Sequence, residues 1–188
     1  EIISNTYPKM PPHYDWTDKH LHCKSLEEDS EFIKKKIHHF IKTVKIDYLS
    51  VGIISKLFDN NYNSLNKILT LKKEQLLSLD GFKETLSEKI IKSIHLIIDN
   101  PIYLGTLMVA SLEFNSGMGK KRITKILDKY PNIMEDHLTL NEIISIDGVQ
   151  EKTGKQFLDN LANFKEFLKT INVSYFTKRE KTLFNEPR

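Results

Sequence analysis

A single cysteine among 188 residues leaves this chain no intramolecular disulfide and no four-thiolate zinc site, so an intracellular, reducing compartment is the default expectation. No apolar run approaches the ~20 residues that cross a bilayer, and no charged-then-apolar leader opens the chain. Neither a membrane span nor a secretion signal is expected. The first residue is Glu1 rather than Met, which suggests a processed or excised segment. Strong basicity is lacking too: with a formal net charge of +3, affinity for nucleic acid has to come from local clustering of cations. Common catalytic motifs are missing. There is no Gly-x-x-x-x-Gly-Lys loop, no His-Glu-x-x-His and no Gly-x-Ser-x-Gly. His13, His20, His22 and Cys23 do not have the spacing of paired metal ligands, and Asp80 with Glu84 is explained by turn and first-turn helix preferences. No catalytic residue and no metal ligand is assigned.

What is present is a repeated phrase. Leu76 to Ile90, LLSLDGFKETLSEKI, closes an apolar helix face with Leu76, Leu77 and Leu79, turns at Asp80-Gly81, and starts a new helical pattern with Leu86, Ile90 and Ile91. Ile143 to Phe157, IISIDGVQEKTGKQF, repeats it, with Ser145, Asp147, Gly148 and Glu151 standing 67 residues after Ser78, Asp80, Gly81 and Glu84. Each is a hairpin of two helices. The second helix of each hairpin starts with backbone N–H groups that have no intrahelical partner, at the positive end of the helix dipole. A phosphate fits there, with Lys83, or Lys152 and Lys155, beside it. The competing reading is a helix stop and an ordinary connection, which the second copy in register weakens.

Two further hairpins complete the pattern. Ser30 is expected to cap a helix with Phe32, Ile33, Ile37, Phe40, Ile41 and Val44 on its apolar face, Lys34, Lys35 and Lys36 toward solvent, and His38 and His39 split between packed and exposed. Ile46 to Phe58 follows with Ser50-Val51-Gly52 as its turn, and Ser64 caps a short helix. Asn100-Pro101 ends the long helix from Leu86 and is the best internal boundary. Beyond it, Tyr103 to Leu112 and Lys120 to Tyr130 flank Asn115-Ser116-Gly117-Met118-Gly119, and Thr139 and Glu142 have capping-box spacing ahead of the last hairpin, whose helix runs to about Leu168. The expected fold is all-α: tandem helical hairpins in two pseudo-duplicated pairs, residues 29–100 and 101–171. Residues 1–28 form an irregular arm, or the end of a preceding oligonucleotide-binding (OB-type) domain, and 172–188 a linker or tail.

The ordered set of four hairpins, from Phe32 to Leu168, resembles the helix-hairpin-helix region of NAD-dependent DNA ligases. KKKIHHFIKTVKIDYLSVGIISKL is similar to that family's leading helix and first hairpin, LLSLDGFKETLSEKI to the second, LEFNSGMGKKRITKIL to the third and IISIDGVQEKTGKQF to the fourth. The resemblance implies non-sequence-specific binding of nicked duplex DNA across the minor groove, in replication and repair. It implies that phosphates meet the turns at Ser50, Val51 and Gly52; Gly81, Phe82 and Lys83; Met118, Gly119, Lys120 and Lys121; and Gly148, Val149, Gln150 and Lys152. Only Gly119 keeps the family's glycine at the helix-starting position, where Ser50, Lys83 and Gln150 stand in the other turns. The adenylation nucleophile motif Lys-x-Asp-Gly is absent, so the chain alone should not ligate. NAD and Mg²⁺ are implied only for a parent ligase, whose adenylation and OB domains would be the partners, and the family's four-cysteine zinc module is represented by Cys23 alone. The rival readings are a hairpin module of a repair nuclease or helicase, and a protein-interaction scaffold.

Overall fold

The structure is a computed structural model and describes residues 14–16, 21–23, 29–114 and 118–177. It is all-α in class, with nine helices and two pairs of very short strands among the described residues. Helix α1 (Ser30–Val44) is followed by α2 (Val51–Asp59), α3 (Leu65–Leu69), α4 (Lys73–Leu77) and α5 (Glu84–Ile98). Past Pro101 come α6 (Leu104–Ala110), α7 (Lys120–Lys129), α8 (Leu140–Ile144) and α9 (Glu151–Thr170). In the arm, β1 (Tyr14–Trp16) pairs antiparallel with β2 (Leu21–Cys23). The remainder of the arm, His13 and His20 included, lies outside the described residues.

Local start signals set most helix positions. Ser64 caps α3, and at α8 the capping box closes: the Thr139 N–H donates to Glu142 Oε2 at 2.7 Å while the Glu142 N–H donates back to Thr139 Oγ1. The Thr139 N–H bond foremost, and a second from the Thr139 hydroxyl to Glu142 Oε2, hold the Glu142 carboxyl below its ordinary range. Helix α1 is capped one residue earlier than its sequence suggests. Asp29, not Ser30, is the N-cap, its carboxylate accepting from the Glu31 and Phe32 N–H groups.

The duplication is expressed in the core. Residues 67 apart are buried together: Ile37 and Leu104, Phe40 and Leu107, Leu76 and Ile143, Phe82 and Val149, Ile90 and Phe157. The equivalent helices α1 and α6 make the most extensive helix–helix contact among the described residues. His39 Nε2 lies 3.1 Å from the Val109 carbonyl oxygen across it, and Lys36 pairs with Glu113 at 3.7 Å. Phe40 meets Phe167 with ring centroids 5.9 Å apart, and Phe114 meets Phe157 and Phe164 at 5.1 and 5.4 Å, so α9 is fastened to both halves.

Several positions depart from their expected places. His38 and His39 are both half-buried rather than divided between core and solvent. Lys34 leaves the solvent side because its ammonium sits 5.0 Å over the Phe58 ring and 3.7 Å from Asp59. Leu77 is exposed, as is its counterpart Ile144, because a helix of little more than one turn buries only Leu76 or Ile143. The segment after Asn172 is not free chain throughout. There β4 (Tyr175–Phe176) pairs in parallel with β3 (Ile102–Tyr103), and the Tyr103 and Phe176 rings stand 5.7 Å apart. Residues 178–188 lie outside the described residues.

Candidate nucleic-acid interface

All four hairpin turns end alike, with a buried apolar residue followed by an extended residue that caps the next helix. The buried residues are Leu49, Phe82, Met118 and Val149, each no more than 7% exposed. The caps are Ser50, Lys83, Gly119 and Gln150, with φ of −67°, −93°, −73° and −89° and ψ of 165°, 163°, 167° and 162°. An apolar plug just before the cap fixes the angle at which the chain enters the helix. This corrects part of the sequence reading: the side chains of Phe82, Met118 and Val149 face the core, and only the main chain at those positions is left for a ligand. In the first hairpin the register shifts as well. Ser50 is the N-cap, Val51 and Gly52 already belong to α2, and the turn is Asp47-Tyr48-Leu49. Tyr48 has φ of 65° where Gly81 and Gly148 have 83° and 84°, so a tyrosine holds the left-handed position that glycine fills in the second and fourth turns.

Ser50 Oγ accepts from the Ile53 N–H at 3.4 Å, whereas Lys83, Gly119 and Gln150 provide no side-chain cap. The first N–H groups of α5, α7 and α9 therefore have no side-chain acceptor in their cap. At Gly119 an added Cβ would meet nothing within 4 Å, so the approach to that helix start is open. Helices α5 and α9 begin with Glu84 and Glu151, while α2 and α7 carry no acid in their first turns. Glu84 is itself paired with Lys73, which also bonds Glu88 at 2.8 Å. Those two hydrogen bonds, Glu84's first, raise the Lys73 pKa above its ordinary value.

Cations converge at the third and fourth turns. Lys120, Lys121, Arg122 and Lys125 on α7, with Gly119, Asp147 and Gly148, line a cavity of about 470 Å³. Arg122 Nε donates to the Gly148 carbonyl oxygen at 2.8 Å, and Lys125 Nζ donates to Asp147 Oδ2 at 2.7 Å. The Lys125 hydrogen bond and charge hold the Asp147 carboxyl below its usual range. Lys129 Nζ reaches Ser145 Oγ at 2.7 Å on the same side of α7. The first half has a counterpart: Lys56, as far beyond Ser50 as Lys125 is beyond Gly119, puts Nζ 2.7 Å from where a Cβ on Gly81 would lie.

Of the residues expected at phosphates, Gly119, Lys120, Lys121 and Gly148 thus share one concave surface. Ser50, Val51, Gly52, Gly81, Lys83, Gln150 and Lys152 are exposed at the other helix starts and turns. Sequence reasoning missed Arg122, Lys125, Lys56 and Tyr48. The signal for Lys125 and Lys129 was helical spacing from Lys121 and Arg122 along α7, and for Lys56 its recurrence at the Lys125 position. A concave, cationic surface with an open helix start beside it has the chemistry that suits anions.

No protein-family model matches the chain. It is 31% identical over 177 residues to a DNA ligase of Acanthamoeba polyphaga mimivirus, an alignment covering 91% of this chain and 28% of that protein. A protein described as Putative DNA ligase 205R, of Invertebrate iridescent virus 6, is 32% identical over 159 residues, covering 83% of this chain and 25% of its own length. A DNA ligase of Psychromonas ingrahamii is 22% identical over 180 residues, covering 92% and 26%. The chain therefore spans about a quarter of the length of these relatives.

Proposed function

We propose that this chain is the helix-hairpin-helix part of an NAD-dependent DNA ligase and grips nicked duplex DNA by its phosphate backbone across the minor groove, in nick sealing during replication and repair. The observation that carries the reading is the cavity between the third and fourth turns, where four cations and the start of α7 face one space. Phosphate is the anion that suits it, since backbone N–H groups and mobile lysines bind a repeating anion without reading sequence. The ligases among its relatives support the same reading.

Each hairpin contributes a rigid start to a helix, fixed by its buried plug, so the duplex is held by main chain and cations in a set register. Lys120 and Lys121 neutralise phosphates directly, and Arg122 and Lys125 keep the third and fourth turns together through Gly148 and Asp147. Among the described residues no group of three or more His, Cys, Asp or Glu side chains converges to hold a metal. NAD and Mg²⁺ chemistry belongs to the adenylation domain of the parent protein, which with its OB domain would be this chain's partner. The compartment is that of the DNA, intracellular and reducing.

Binding of the purified chain to nicked duplex, intact duplex and single strand across a salt series tests this. Both duplexes should bind in a salt-sensitive manner with little dependence on base sequence. Lys120→Ala with Lys121→Ala should lower affinity and flatten the slope of log affinity against log salt by about two contacts' worth, roughly 0.9 per phosphate. An unchanged slope would remove the third turn as a phosphate site.

A further inference from the structure

Resting on that duplex-binding reading, we propose that Tyr48 and Val51 form an apolar tip that enters the minor groove, the Tyr48 ring packing against deoxyribose and base edge, where the glycine turns would offer only main chain. Tyr48 occupies the left-handed position of the turn with φ of 65°, a conformation that a bulky side chain adopts only under constraint. The backbone there does not call for a tyrosine, because Gly81 and Gly148 fill the same position without strain. The ring is nonetheless displayed: Tyr48 is 50% exposed and Val51, three residues on, 59%. The backbone beneath them is pinned, by Leu49 at 4% exposure and by the Asp47 N–H donating to Ser93 Oγ at 2.7 Å, so the tip does not retract.

The surroundings add cations to the apolar tip, the complement of a groove edged by phosphates. Lys89 Nζ lies 5.5 Å from the centre of the Tyr48 ring. Beside the ring is a cavity of about 640 Å³, lined by Lys42 and Lys45 and also by the apolar Ile41, Ile46, Ile53 and Leu86. An apolar wedge flanked by cations fits a groove whose deoxyribose walls are apolar and whose rails are phosphates. A tyrosine ring adds this contact area with few rotatable bonds to freeze.

The test compares the parent chain with Tyr48→Gly, Tyr48→Phe and Val51→Ser for nicked-duplex affinity over a salt series, alongside thermal unfolding. Tyr48→Gly should bind about tenfold more weakly, as loss of one aromatic contact with nucleic acid does. Its salt slope should match the parent's, since no cation is removed. The thermal midpoint should stay within about 3 °C, glycine being suited to the backbone there. Tyr48→Phe should keep the parent's affinity. Val51→Ser should weaken binding in the same sense, which decides the matter should Tyr48→Gly fail to fold. A parent that binds duplex while Tyr48→Gly binds as well or better overturns the wedge and spares the phosphate grip. A parent that binds no duplex even at low salt overturns both. If instead the parent self-associates in sedimentation and Tyr48→Gly abolishes that with duplex binding intact, the tip is a contact between copies and the proposal fails.

Discussion

Lys125 has two anions within its reach in the proposed complex, a phosphate and Asp147. In the free chain it is committed to Asp147, at 2.7 Å, but the carboxylate side chain is 93% exposed. An ion pair so exposed contributes little to stability, because water screens it and both side chains must be held still. Its effect on binding should be larger, since Asp147 places a negative charge among the cations lining the cavity proposed for phosphate. Asp147→Asn should therefore raise duplex affinity about threefold and steepen the salt dependence, with the thermal midpoint unchanged. Equilibrium binding in a salt series checks this. Weaker binding would mean that Asp147 is needed to aim Lys125 rather than competing with phosphate for it.

At the scale of the element, the third hairpin and the first offer a matched pair. Gly119 and Ser50 cap α7 and α2 with the same extended backbone, and an added side chain at Gly119 would strike nothing within 4 Å. Gly119→Ser should accept from the Arg122 N–H as Ser50 accepts from that of Ile53, and so stabilise the fold by a few tenths of a kcal/mol, about 0.3. Crowding the approach to the helix start should weaken duplex binding at the same time. Chemical denaturation and duplex titration on one preparation separate the two effects, and a variant that is stabilised with affinity intact would show that the glycine is not there for phosphate. The hairpins themselves were legible because their signals are local: the 67-residue echo of Asp80-Gly81 in Asp147-Gly148, the Ser64 cap and the Thr139–Glu142 box all appear in the structure where the chain spells them. The first hairpin was misread by a few residues because its left-handed positions are held by Lys45 and Tyr48, not glycine. Leu112, 67 residues after Lys45, repeats that unannounced left-handed end. Burial of Phe82, Met118 and Val149 was illegible for another reason: next to a turn, an apolar residue fits a plug or an exposed tip equally well by pattern, and only tertiary packing separates them. Phe82 became the plug, while Tyr48 and Val51 remained outside.

For the whole molecule, Pro101 is a boundary in the chain but not a gap in the packing. Leu107 and Phe40, equivalent residues on α6 and α1, are both fully buried, and the hydrophobic core that contains them runs through both halves. The strand pair joining Ile102–Tyr103 to Tyr175–Phe176 brings the end of the described chain back to the junction. Small domains with one such core unfold cooperatively. Urea unfolding followed at amides of α5 and of α9 should give coincident transitions, and Leu107→Ala, creating a cavity at the junction, should shift both together by about 2–5 kcal/mol. Separate transitions, with only the α9 one moved, would mean that residues 29–100 and 101–171 fold as independent pairs. The distinction bears on binding. If the pairs are one body, the four turns meet a duplex at fixed spacing, so weakening the grip at Lys120 and Lys121 also loosens the hold of the Tyr48 tip. Combining Lys120→Ala and Lys121→Ala with Tyr48→Gly should then cost less affinity than the separate losses added together, because either lesion alone already forfeits part of the shared register.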